Sequence, residues 1–212
     1  MSSKTISTTK SASGAKGVTK TATSTSPRTW IFRGLTVVGG AMLLVSWMMP
    51  WWQAYIVYLK TAALYVRPWG VDMFLPPEYS AVISGYQMPK IFAPLMWIFL
   101  GCCVIALVGS LFASSKDKAG IGKIRLPLPM VLVGGVGVAY IVFVVVCLIV
   151  LQMRASGFYN APLVGTTYIG LDEGHKSYVD TSFLTGYYLA AVTGPVLLVL
   201  GLARQLIVGK KG

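Results

Sequence analysis

Asp172, Glu173, His175 and Asp180 place four oxygen or nitrogen donors within nine residues. Carboxylates and an imidazole at such spacing could hold copper, zinc or calcium. His175 is the chain's one histidine, whereas copper and zinc sites usually recruit several. The carboxylates also lack the regular alternation of a calcium loop, so a solvated turn is the favoured reading of these residues and a metal site the lesser one. Ser, His and Asp meet in the same stretch, but common residue types without an elbow motif carry no signal of nucleophilic catalysis. Gly134-Gly135-Val136-Gly137 lies in an apolar run, where it reads as helix packing instead of a phosphate loop. Cys102, Cys103 and Cys147 also fall in apolar runs. They form no Cys-x-x-Cys pair and are read as small packing residues. No motif names a cofactor.

The elements that must position these residues are set by four apolar blocks in a chain of 212 residues, 55% hydrophobic and 11% charged. The blocks at 30–50, 91–113, 128–152 and 183–203 each reach the roughly 20 residues that a helix needs to cross about 30 Å of hydrocarbon. They do not alternate as the strands of a barrel would. The expected fold is therefore an all-α integral membrane protein, a tetraspan bundle of four transmembrane helices. Charge supports this and gives an orientation. The N-terminal tail, the 114–127 loop and the C-terminus hold Lys4, Lys10, Lys16, Lys20, Arg28, Arg33, Lys116, Lys118, Lys123, Arg125, Arg204, Lys210 and Lys211 against Asp117 alone, which is the whole net charge of +12. In the other two connections, five basic and five acidic residues balance. Positive residues stay on the cytoplasmic side, so both termini are expected there, in the cell membrane or an organellar one. Asn160 is followed by Ala161 and Pro162 and offers no sequon. With no disulfide framework either, a prokaryotic or organellar membrane is favoured.

Residues 1–28 are Ser, Thr, Lys, Ala and Gly with few large apolar side chains, and are expected to form a disordered cytoplasmic tail drawn to anionic lipid headgroups. The transmembrane domain occupies 29–212, with outer loops at 51–90 and 153–182. Residues 53–66 alternate aromatic and β-branched side chains, as a strand or an interfacial helix would. Strand-like runs at 163–171 and 177–183 are expected to pair with strands of the first outer loop in a small β-containing cap. The short inner loop, with Pro127 and Pro129 at its end, predicts a tight helical hairpin.

Trp47, Trp51 and Trp52 flank Pro50 where the first span ends, as interfacial anchors do. Small residues at helical spacing predict packing seams at Gly101 and Gly109, at Gly135 and Ala139, and at Gly186, Ala190 and Gly194. No ionisable residue stands in the middle of a span, which disfavours proton relays and ion pathways within this chain. Basic residues without interleaved aromatics give no support for nucleic-acid binding.

Four spans, internal termini, a long first outer loop starting near Trp51 and Trp52, and a strand-bearing second loop together resemble the topology of the claudin and peripheral-myelin superfamily. The Gly-Leu-Trp and paired outer cysteines of that family are missing; the nearest string is Pro68-Trp69-Gly70-Val71. The likeness stops at topology and implies no residue roles. The expected function is non-catalytic association in the bilayer, as an accessory subunit beside other membrane proteins or as a self-assembling scaffold. A subunit of a metal-dependent membrane oxidoreductase and an oligomeric channel are the alternatives.

Overall fold

Pro27 has the fixed φ that suits a first helical turn, and α1 runs from it over Pro27–Met48 until Pro50, which has no amide proton to extend the ladder. The structure, a computed structural model, describes residues 27–74, 88–113, 118–121, 124–157, 160–172 and 175–208. After α1 come β1 (Trp52–Ile56), β2 (Thr61–Arg67), β3 (Gly70–Met73), α2 (Phe92–Phe112), β4 (Lys118–Ile121), β5 (Ile124–Pro127), α3 (Leu128–Gly157), β6 (Gly165–Asp172), β7 (His175–Phe183) and α4 (Thr185–Val208). The described chain is mostly helical, with a small antiparallel sheet. All four of these helices are long and apolar enough to cross a membrane. In their most apolar stretches only 22% (α2) to 39% (α4) of residues are buried, so most of each helix turns apolar side chains outward.

The sheet joins both long connections in the order β3-β2-β1-β7-β6, all antiparallel. Residues 53–66 resolve as the β1–β2 hairpin, turned at 57–60 with Lys60 at φ 49° and its amide on the Val57 carbonyl at 3.2 Å. Register shifts between Ala54 and Tyr55 leave Ala63 as an extra residue on β2, which lets Ala62, Ala63 and Leu64 all be buried in succession. The inward face, with Trp52, Ala54, Ile56, Leu64 and Val179, packs on Ala155 and Leu151 of α3. To carry this sheet α3 continues to Gly157, past the expected end at Gln152.

Two further expectations shift. The inner loop contains a second antiparallel hairpin, β4–β5, where a plain helical turn was expected; Ile124-Arg125-Leu126 leads into Pro127, and the helix begins only after it. α1 takes Pro27 and Arg28 into its first turn, and residues 1–26 of the expected tail lie outside the described residues. Residues 75–87 of the first long connection lie outside them too.

Sheet and bundle meet at Trp51. A helical residue at position 50 would donate its amide to the Ser46 carbonyl, and proline cannot. The Trp51 indole supplies that donor at 2.8 Å, while its backbone amide donates to Val66 at 2.8 Å and its carbonyl accepts from Leu184 at 2.9 Å. Arg67 donates to the Met48 carbonyl and pairs with Asp72 at 2.6 Å, a cation at a helix C-terminus where the dipole favours it. Replacing Trp51 with Phe keeps much of the ring but orphans the buried Ser46 carbonyl. The variant is expected to lose about 1–3 kcal/mol of stability, measured as a lower thermal midpoint of the detergent-solubilised chain; an unchanged midpoint would remove Trp51 from this role.

Candidate functional site

The indoles proposed as interface anchors pack inside the protein. Trp47 is fully buried (0% exposed), and Trp51 and Trp52 are nearly so. Trp47 stacks on Phe143 at 5.3 Å and Phe99 at 6.3 Å between ring centroids, joining α1, α2 and α3. Trp51 meets Phe143 edge-on at 5.9 Å, and the Trp52 indole donates to the Leu163 carbonyl at 2.7 Å. The Trp51 and Trp52 indoles donate to protein carbonyls, the buried Trp47 N–H has no partner among the described residues, and protein side chains pack around all three rings. Below this layer the Ser46 hydroxyl donates to Leu43 at 2.8 Å, leaving its oxygen to accept from the Tyr140 hydroxyl at 2.7 Å. These bonds tie α1 to α3.

Glycines decide how closely the helices approach. On α4, a Cβ at Gly194 would lie 2.7 Å from Ile141, and one at Gly186 would lie 2.6 Å from the Pro50 carbonyl; Ala190 is fully buried. Gly101 and Gly135 have nothing within 4 Å of such a Cβ, and Gly109 only just touches Leu132 at 4.0 Å. Ala139 is exposed. The tightest seam is α3 against α4, made by Gly137 against the Leu198 backbone and by Gly201, whose added Cβ would meet Gly134 at 2.6 Å. Gly134 and Gly137 sit three apart, Leu198 and Gly201 likewise, a helical spacing visible in the sequence but not assigned to a face.

The donor set of the second long connection is spread along the β6–β7 hairpin. Asp172 pairs in register with His175 at its tip. Glu173 lies outside the described residues, and the Asp172 and His175 side chains are not described. Asp180 pairs in register with Thr166, whose hydroxyl donates to the Asp180 carboxylate at 2.7 Å. Five residues of extended strand carry Asp180 about 17 Å from His175 along β7. Among the described residues no group of three or more His, Cys, Asp or Glu side chains gathers as a metal site would.

Two other features stand out. The outward face of the sheet holds Tyr55, Tyr65, Tyr168 and Tyr178, placed together by the register Tyr55↔Asp180, Gln53↔Tyr65 and Tyr168↔Tyr178. Tyr168 is 64% and Tyr178 44% exposed, with ring centroids 4.5 Å apart. The hydrogen bond that its hydroxyl donates to Tyr168, and then charge repulsion with that ring's hydroxyl, pushes the Tyr178 phenol up from its usual range. The second feature is an apolar cavity of about 150 Å³ between the start of α2, the last turns of α3 and the base of the sheet. Met96, Phe143, Leu148 and Val66 line it, with Arg67 and Arg154 also on its wall.

No family model matches the chain, and no curated protein matches it.

The glycine seam gives a paired test. Gly137→Ala drives a methyl into the Leu198 backbone and is expected to cost about 1–3 kcal/mol, whereas Gly135→Ala meets open space and gains up to about 1 kcal/mol of helix propensity. Thermal unfolding of the two variants in detergent should separate them in that order; equal midpoints would count against the α3–α4 approach.

Proposed function

We propose that this chain is a non-catalytic multi-pass membrane protein that works by association, as an accessory subunit of a membrane complex or a self-assembling scaffold. In this reading the four apolar helices cross the cell membrane, both termini are cytoplasmic, and the sheet stands on the opposite side. The outward helix faces, rich in exposed residues such as Ile98, Ile105, Val145 and Val199, suit lipid tails or the helices of another subunit, because so much apolar surface left facing water would be costly. The basic ends of the chain suit the anionic cytoplasmic leaflet.

The observation that carries the reading is the tyrosine face of the sheet. Tyrosine offers wide contact area, a polar hydroxyl and little side-chain entropy to lose, which is why it is enriched where proteins dock. Here four tyrosines share one face with Gln53, Asp180 and Ser182, while the opposite face packs on α3. The sheet adds nothing to the apolar core through its outward side, so a role for those rings is sought in a partner. The seam glycines place α3 and α4 as a rigid unit beneath it.

The test is purification from native membrane in mild detergent. Stoichiometric companions, or a homo-oligomer, are expected with the natural chain. A Tyr168→Ala, Tyr178→Ala double variant should lose them while keeping its unfolding midpoint within about 0.5 kcal/mol of the original, as exposed substitutions do. A chain that purifies alone as a monomer would end this reading. In the same preparation His175→Ala is expected to leave the companions in place.

A further inference from the structure

The cavity beneath the sheet is walled almost wholly by carbon, yet one cation at its edge has no ion-pair partner among the described residues. Arg67 is committed: it pairs with Asp72 at 2.6 Å, donates to the Met48 carbonyl and lies 5.6 Å over the Trp69 ring. Arg154 is different. It is exposed, lies on the cavity wall one helical turn beyond Val150, and has no ion pair among the described residues. An apolar space of about 150 Å³ gives water no hydrogen-bond partners, and cavities of this kind stay dry and accept apolar guests.

The depth of the space follows from α3. Phe143, stacked on Trp47 and met edge-on by Trp51, marks its inner end, and Arg154 its outer one. Eleven residues of helix separate them, about 16 Å at 1.5 Å per residue. α2 forms the other side through Phe92 and Met96, and Gly101, one turn further along α2, has nothing within 4 Å of a Cβ. The crease between these helices ends at the Arg154 guanidinium, where the apolar part of α3 gives way to Gln152, Met153 and Arg154.

We propose that this crease binds one anionic phospholipid of the sheet-side leaflet, an acyl chain in the cavity and its phosphate on Arg154. The proposal rests on the reading that the four helices cross a bilayer. A guanidinium matches phosphate oxygens with paired N–H donors, and the chain covers the apolar surface that α2 leaves open. The lipid thereby fills the gap between the base of the sheet and the α2–α3 pair, and this differs from diffuse attraction of headgroups to the basic tail, which belongs to the other end of the bundle.

The full chain, reconstituted in vesicles of phosphatidylcholine with a minor fraction of phosphatidylglycerol, is re-extracted gently and examined by native mass spectrometry. One retained phosphatidylglycerol per chain is expected, in preference to phosphatidylcholine. Arg154→Gln should cut that preference about tenfold, the loss of one charge-assisted contact, and Val150→Trp, which narrows the crease, should lower retention of both lipids. A phosphatidylglycerol carrying a photoactivatable acyl chain should cross-link to the α3 segment around Leu148. Equal retention of the two lipids, retention unaffected by Arg154→Gln, or displacement by inorganic phosphate would overturn the site. So would cross-links spread evenly over the helices, or capture of residues 75–87 or of another protein by a cross-linker placed at Val150. Alkaline carbonate extraction separates the two levels: release of the chain from the vesicles defeats the bilayer reading, while a chain that stays with the membrane and retains no phosphatidylglycerol defeats only the lipid site.

Discussion

A proline without an amide proton, at position 50, determines how the helices and the sheet of this protein are joined. It orphans the Ser46 carbonyl in a buried layer, where an unpaired acceptor is costly. The only way to end α1 there without that cost is to bring in a donor from beyond the helix. Trp51 does so with its indole at 2.8 Å, and that same placement fixes its backbone between Val66 and Leu184. Helix end, first strand and entry to α4 are therefore settled by one residue. Arg67 completes the arrangement from the next strand by donating to Met48, and its partner Asp72 on β3 holds it there.

From that junction the packing divides unequally. Glycines at 134, 137, 194 and 201 let α3 and α4 approach backbone to backbone, and Phe32 under the Arg204 guanidinium at 5.4 Å holds α1 to α4 at the far end. α2 has no such seam. It packs through buried Leu100, Cys103 and Leu107 and through aromatic contact of Phe99 with Trp47 and Phe143, and those rings are wide. Side chains of that breadth keep helix axes apart, and above them, toward the sheet, the separation remains as the cavity. The space is a consequence of using rings on one side of α3 and glycines on the other.

How much of this could be read from the residues follows from which forces are local. Long apolar blocks mark helices because length and hydropathy do not depend on neighbours, and the helix positions were close to those expected, except that α4 runs on to Val208 and α3 to Gly157. The extra turns of α3 are held by contacts of Ala155 and Leu151 with a sheet whose other strands lie far away in sequence. Strand-like alternation in β6 and β7 was readable for the same local reason; the Ala63 bulge was not, since Thr61-Ala62-Ala63-Leu64 acquires its register only from β1. Glycine spacing told that seams exist but not which face of a helix bears them. Gly135 and Gly137 differ by two residues, a rotation of about 200°, and only the position of α4 decides which is buried. The tryptophans illustrate the same gap: an indole beside a proline suits a headgroup layer and a hydrogen-bonded interior equally, and the choice rests on what lies opposite.

The sheet then shows why its two faces are chemically unlike. Its inward side must satisfy α3 and is built from Ala, Ile, Leu and Val with Trp52, and even its one buried threonine, Thr181, spends its hydroxyl on the Pro162 and Gly165 carbonyls at 2.8 and 3.0 Å. Among the described residues the outward tyrosines join neither apolar cluster, and Tyr65 meets Phe74 edge-on at 5.5 Å between ring centroids. Were the outward side shaped by solubility alone, short polar or charged side chains would suffice, since exposed tyrosine lowers neither the cost of folding nor the risk of sheet-to-sheet contact. Tyr168 and Tyr178, adjacent across β6 and β7, and Tyr55 and Tyr65 beyond β1 thus make sense as contact area. Selection for contact is also consistent with a sheet held rigidly on α3, because a docking face gains affinity when little of it has to be ordered on binding.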